Sequence, residues 1–251
     1  MTGVLFNIFA CLVAGISGVM VFSRISKLRR SPIPTDYGRG LDYFLLAFGV
    51  LWLLVALRLT FFWFSEGLGW EFFASWDQFI WGWIVGPLTY IHVLPLFFFF
   101  AWSFFGYQSH WYRIFVSIFA FTTLVTVVSL FIWEFELQEA SNWGSKYDAH
   151  IYTHLLFTVT MYLPVVVCIV IDLIRRYKRW ARNGSLTELQ LAGFNGGILF
   201  FAAIAVSDGL ALAEGPFMIP VRMGIMVSAL IIYYFATLQE DHYYRDLPNS
   251  G

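Results

Sequence analysis

Seven long apolar runs separated by short polar stretches organise the chain. They fall at about 4–23, 42–63, 79–104, 112–133, 151–173, 191–212 and 218–238. Each approaches or exceeds the ~20 residues that a helix needs to cross a hydrocarbon core. Within lipid only helices and closed barrels satisfy their backbone, and these runs are too long and too continuously apolar for barrel strands. The pattern therefore predicts an all-α integral membrane protein, a seven-transmembrane-helix bundle over 1–238, with a short polar tail at 239–251. The first run, Val4–Phe22, lacks a basic leader and a small-residue cleavage site, so it reads as a span rather than a signal peptide. No fixed-period repeat stands out, nor the inverted pair of broken helices that marks many transporters.

Charge adds orientation. Arg24, Lys27, Arg29, Arg30 and Arg39 follow the first run, Arg113 follows the third, and Arg175, Arg176, Lys178, Arg179 and Arg182 follow the fifth. Arg245 lies in the tail, and the opposite loops hold only Lys146. Basic loops face the cytoplasm, so the N-terminus is expected outside and the C-terminus in the cytoplasm. The outer loops are acidic instead: Glu66, Glu71, Asp77, Glu134, Glu136, Glu139, Asp148 and Glu214.

Composition agrees. The chain is 59% hydrophobic and 12% charged, whereas soluble domains carry about 25% charged residues. Aromatic residues reach 21%, including 28 Phe, which suits a lipid-facing and interfacial surface. The bilayer, expected to be a bacterial cytoplasmic (inner) membrane, is the first partner, and no feature points to nucleic acid. Cys11 and Cys168 both lie in apolar runs, which argues against a disulfide framework.

Ionisable groups inside spans are costly and are the first candidates for function. Arg58 (span two), Asp208 (span six) and Arg222 (span seven) all fall roughly 6–8 Å below the outer surface at 1.5 Å per residue. Asp208 could pair with either arginine and lock the helices together. Alternatively, two arginines and one aspartate would leave positive charge in an outward-facing pocket suited to an anionic or polar ligand. His92 lies near mid-membrane between Pro87 and Pro95, where a bent helix can line a cavity or the imidazole can bond to a neighbouring helix.

His150 and His154 form an HxxxH preceded by Asp148, a spacing that puts both imidazoles on one helix face and makes a weak metal candidate. Without Glu at its second position it is not the zinc-protease motif. A bis-histidine haem is disfavoured, because His92 lies about 20 Å and His154 about 5 Å below the outer surface. A retinal Schiff base is disfavoured because Lys27, Lys146 and Lys178 all lie in loops. Nucleophile elbows, phosphate loops and dinucleotide fingerprints are missing, so no enzyme activity is supported. The run Arg175–Trp180 reads as a positive-inside anchor, or as a site for anionic lipid or a cytoplasmic partner.

Several segments in the last three spans suggest a family. Span five runs into Ile171-Asp172-Leu173-Ile174-Arg175-Arg176, followed by Glu188-Leu189-Gln190. Span six carries Gly193, Gly196 and Gly197 and ends at Ser207-Asp208-Gly209-Leu210. Span seven holds Pro220, Gly224 and Tyr233-Tyr234-Phe235-Ala236, and span three holds Pro95-Leu96-Phe97 before Phe105-Gly106-Tyr107. This layout resembles the seven-helix N-terminal sensor region of some bacterial histidine kinases and related signalling proteins. The resemblance implies a receptor-like module and makes Asp208 the position most expected to matter. Kinase-type members continue into cytoplasmic signalling domains, whereas this chain ends about thirteen residues after span seven, so no kinase chemistry is carried over.

Three functions remain open at this point. One is a sensory module with an outer ligand pocket, read by a cytoplasmic or membrane partner. The second is an accessory subunit of a larger bacterial respiratory, photosynthetic or transport complex. The third is a small transporter or membrane enzyme built on His92 or the HxxxH segment.

Overall fold

The computed structural model describes residues 2–28, 39–106, 109–133, 135–209 and 217–245. Side chains are described for 2–23, 43–106, 109–133, 135, 137, 140–145, 147, 149–185, 188–204 and 217–235. Seven long helical segments dominate the described residues: α1 (Thr2–Leu28), α2 (Arg39–Leu68), α3 (Phe72–Phe105), α4 (His110–Ile132), α5 (Ile151–Asn183), α6 (Leu186–Gly209) and α7 (Met218–Arg245). Six segments within them are long and apolar enough to cross a bilayer, and the apolar part of α6, Glu188–Ile204, is shorter. The molecule is thus a mainly helical integral membrane protein.

Between α4 and α5 lies an element that the apolar pattern did not predict. Strands β1 (Phe135–Ser141) and β2 (Gly144–Ala149) form an antiparallel hairpin across the turn residues Asn142 and Trp143. Phe135 and Leu137 alternate with polar residues, as do Ser145, Tyr147 and Ala149 on the returning strand; that period of two is the strand signal. A bulge between Leu137 and Glu139 shifts the register.

Close helix packing comes from small side chains. Ala10, Ala14 and Gly18, each four residues apart on α1, are buried. A Cβ at Gly18 would lie 2.8 Å from the Gly49 Cα of α2, so the two backbones touch. In lipid, where helix association depends on such contact, small residues let backbones approach. On the other side of α2, Phe44, Phe48 and Trp52 join the main aromatic core, and Phe97 of α3 stacks on Phe119 of α4 at 3.6 Å.

Two helices are interrupted at prolines. In α3 a π turn over Trp81–Val85 precedes Pro87, and the Gly86 N–H reaches back to the Trp81 carbonyl. In α5 a π turn over Thr158–Tyr162 precedes Pro164, and the Leu163 N–H reaches the Thr158 carbonyl. A proline offers no N–H to the carbonyl four residues earlier, so the preceding turn widens to reuse its acceptors. A second break, at His92–Val93, precedes Pro95. Bent helices cannot pack flush along their whole length, and a cavity lies between α3 and α5.

Candidate functional site: a central cavity under a pinned hairpin

Residues from all seven helices, α1 to α7, and from the hairpin surround a cavity of about 720 Å³. Its wall is mostly apolar and aromatic, with Phe44, Val55, Leu96, Leu130, Phe157 and Val165 among its members. That size and lining fall in the range of small-molecule sites, ~300–1,000 Å³. Four of the sequence candidates, Arg58, His92, His154 and Arg222, meet here. The side chains of Asp208 and Asp148 lie outside the described residues; the Asp208 backbone belongs to α6, and that of Asp148 pairs with Glu136 in the hairpin.

Arg58 has a partner that depth alone did not reveal. Its Nη1 lies 3.0 Å from Asp77 Oδ1, and both residues are buried. Asp77 was expected in an outer loop, but α3 begins at Phe72 rather than near 79, which turns Asp77 inward on its first turns. The exposed aromatic residues Phe72, Trp76 and Phe79 occupy the other faces of this segment. The same guanidinium donates to the Ser145 hydroxyl at 2.7 Å and, through Nη2, to the Ser145 carbonyl at 3.0 Å. Ser145 in turn donates to Asp77 Oδ2, as does the Tyr147 hydroxyl at 3.0 Å.

Two rings complete this cluster, with the Arg58 guanidinium 5.4 Å from the Trp81 ring centre and 5.5 Å from that of Tyr147. Burial, and then the Asp77 carboxylate beside it, pushes the Tyr147 hydroxyl well above the usual tyrosine range, so it stays a donor. Asp77 therefore neutralises Arg58, and the two together fasten the hairpin to α2 and α3. On the hairpin's other side, the buried Asn7 of α1 donates to the Trp143 carbonyl at 3.0 Å.

Deeper in the cavity, His92 Nδ1 lies 2.7 Å from the Thr89 carbonyl. A carbonyl only accepts, so Nδ1 carries the hydrogen, and in the neutral ring Nε2 is an acceptor. Tyr162, at the end of the α5 π turn, donates its hydroxyl to the Ala202 carbonyl of α6. The Arg222 guanidinium lies 6.0 Å from the Trp52 ring centre. The indole N–H groups of Trp52 and Trp81 are buried and meet no acceptor among the described residues.

The two HxxxH histidines serve different surroundings. His150 is exposed, and its Nδ1 accepts the Tyr152 N–H at 3.3 Å as the cap of α5. His154, one turn on, borders the cavity. Among the described residues, no three His, Cys, Asp or Glu side chains gather as a metal site.

A second buried polar cluster occupies the basic end of the bundle. Asp172 and Arg176, one turn apart on α5, are ion-paired. Arg176 also reaches Glu188 of α6 at 3.2 Å, and Asn195 of α6 donates to Asp172 at 2.8 Å. Ser103 of α3 donates to Asp172 at 3.2 Å. Arg176 is thus a buried bridge between three helices rather than part of a surface anchor. Its i, i+4 spacing to Asp172 was the available signal.

Comparison with protein-family models, curated proteins and solved structures finds no match to this chain.

Proposed function

We propose that the chain is a receptor-like membrane module of seven spans, with the N-terminus outside and the C-terminus in the cytoplasm. It takes a small ligand into the central cavity and presents the change to a cytoplasmic or membrane partner. The observation that carries this reading is the cavity itself: about 720 Å³, mostly apolar, with a few buried polar groups around it. The bulk of its wall suits an apolar body, and the indole donors of Trp52 and Trp81 suit an acceptor.

Helix α5 offers a route for output. Its outer half walls the cavity through His154, Thr158 and Tyr162, and its other end carries Asp172 and Arg176. A ligand that favours one position of α5 shifts the population of that position, provided it binds the two states unequally. The π turn at Thr158–Tyr162 is itself part of the cavity-facing stretch, on the same helix as the Asp172–Arg176 pair. The count of twelve basic residues on one side against one on the other supports the orientation.

Native mass spectrometry of gently extracted protein tests the reading. Wild type should retain one small molecule per chain, and Ala202→Phe, which puts a ring into the cavity from its wall, should retain markedly less while keeping its melting temperature within a few degrees. Protein that emerges empty and shows no thermal shift across a ligand panel overturns the reading. Stoichiometric co-purification with other membrane subunits would favour the accessory-subunit function instead.

A further inference from the structure

The wall of the cavity is closed on one side and open on another. Toward the hairpin it is sealed by Trp143, Gly144, Ser145 and Tyr147. That seal is fixed by Arg58 and Asp77 on Ser145 and by Asn7 on Trp143. It also fits closely: Gly144 has φ +128°, and a Cβ there would lie 2.6 Å from Leu59 Cδ2 of α2.

Along α5 the situation is reversed. Ile151, Leu155 and Thr158 lie on one helix face at i, i+4 and i+7, and all three line the cavity. All three are nevertheless exposed, Ile151 at 68% and Leu155 at 59%. A residue that lines a cavity and is also exposed marks an opening. The surface around this opening is apolar, with Val159 and Leu163 exposed on the same helix. In a membrane-spanning helix such a surface faces lipid, so the window opens to the bilayer and not to water.

The interior supplies the other half of the ligand's chemistry. Buried donors without acceptors are costly, and a bound acceptor removes that cost. The Trp52 and Trp81 indole N–H groups are two such donors at the cavity wall. We infer that the cavity takes up a single-chain amphiphile sideways from the leaflet on the hairpin's side, through the window beside Leu155 and Thr158. Its oxygen-bearing head, a carboxylate being the simplest case, accepts from these indoles, and its chain lies against the aromatic and aliphatic wall. This assignment rests on the ligand-cavity reading and names the ligand class for it.

Photolabelling in phosphatidylcholine nanodiscs tests it. One probe is a diazirine analogue of palmitic acid dissolved in the bilayer; the other is a water-soluble diazirine benzoate. The palmitate probe should label cavity-lining peptides of α2 and α3, and unlabelled palmitate should compete. Thr158→Trp, a change at an exposed position that obstructs the window, should cut this labelling about tenfold, and Trp52→Phe should weaken competition about tenfold through the lost hydrogen bond. Val167→Trp, an equally bulky change at an exposed α5 position outside the cavity lining, should label like wild type and control for folding. Palmitate label confined to lipid-facing positions such as Phe121, unchanged by Thr158→Trp, overturns the inference. Cavity labelling by the benzoate alone overturns lateral uptake while leaving the ligand cavity standing. Labelling by neither probe, together with an empty native mass spectrum, overturns both.

Discussion

Arg58 and Asp77, nineteen residues apart on successive helices, meet at 3.0 Å beneath the hairpin, with Ser145 between them. Removing one partner leaves the other charge buried and uncompensated, which costs about 3–5 kcal/mol. Asp77→Ala and Arg58→Ala should therefore each lower thermal stability in detergent by a large step. The double variant should lose less than the sum of the two, because pairs in contact couple by about 0.5–3 kcal/mol. A strictly additive double variant would mean that the two residues stabilise the bundle separately.

This pair also shows what the sequence could and could not reveal. The apolar runs located the helices well, since a span is recognisable from length and hydropathy alone. Arg58, His92, His154 and Arg222 were legible as polar residues in apolar surroundings, and all four border one cavity. Depth, however, is one coordinate. It aligned Arg58 with Asp208 but carried no information about azimuth. Asp77 reads from the sequence as an outer-loop carboxylate, because the apolar run begins near 79, whereas a helix beginning at Phe72 brings it inward. The hairpin was hidden because its alternation is short and lies in an acidic stretch that orientation rules already explained as an outer loop. The π turns left only their prolines as a trace.

The crossing of α1 and α2 gives a packing test. A Cβ at Gly49 would lie 2.8 Å from the Val19 backbone nitrogen and 2.9 Å from the Gly15 carbonyl oxygen, and backbone atoms cannot step aside as a side-chain tip can. Gly49→Ala should thus destabilise by about 1–3 kcal/mol, as overpacking does. Gly196→Ala is the matched control, because a Cβ there meets nothing within 4 Å. Parallel melting curves of the two variants check this, and equal melting temperatures would show that the two helices separate freely.

At the opposite end, Asp172 holds Arg176, Asn195 and Ser103 together. Asp172→Ala should cost about 3–5 kcal/mol, since Arg176 loses its nearest counter-charge in a buried site. Asp172→Asn keeps the acceptor oxygen and the volume, and should fall between wild type and Ala. Hydrogen exchange gives the local readout: amides near Arg176 and Glu188 should exchange faster in Asp172→Ala, while those of the hairpin stay at wild-type rates. Equal acceleration at both ends would show global loosening instead of a local joint.

Tyr147 supplies a pH test. Burial and the neighbouring Asp77 raise its hydroxyl above the ordinary value of 10, so folding favours the protonated phenol. In the unfolded chain the phenol ionises near its ordinary value, and the folded state then binds more protons than the unfolded one. The stabilisation from this group is fully present below about pH 10 and is lost as pH rises toward the folded value. Tyr147→Phe removes the hydrogen bond to the Asp77 carboxylate and should cost about 1.5–3 kcal/mol at neutral pH. The gap in melting temperature between wild type and Tyr147→Phe should therefore be constant from pH 7 to about 9 and narrow above about 10. Melting scans of both proteins across this range check it. A gap that stays constant through pH 11 would show that the Tyr147 hydroxyl does not keep its proton for Asp77.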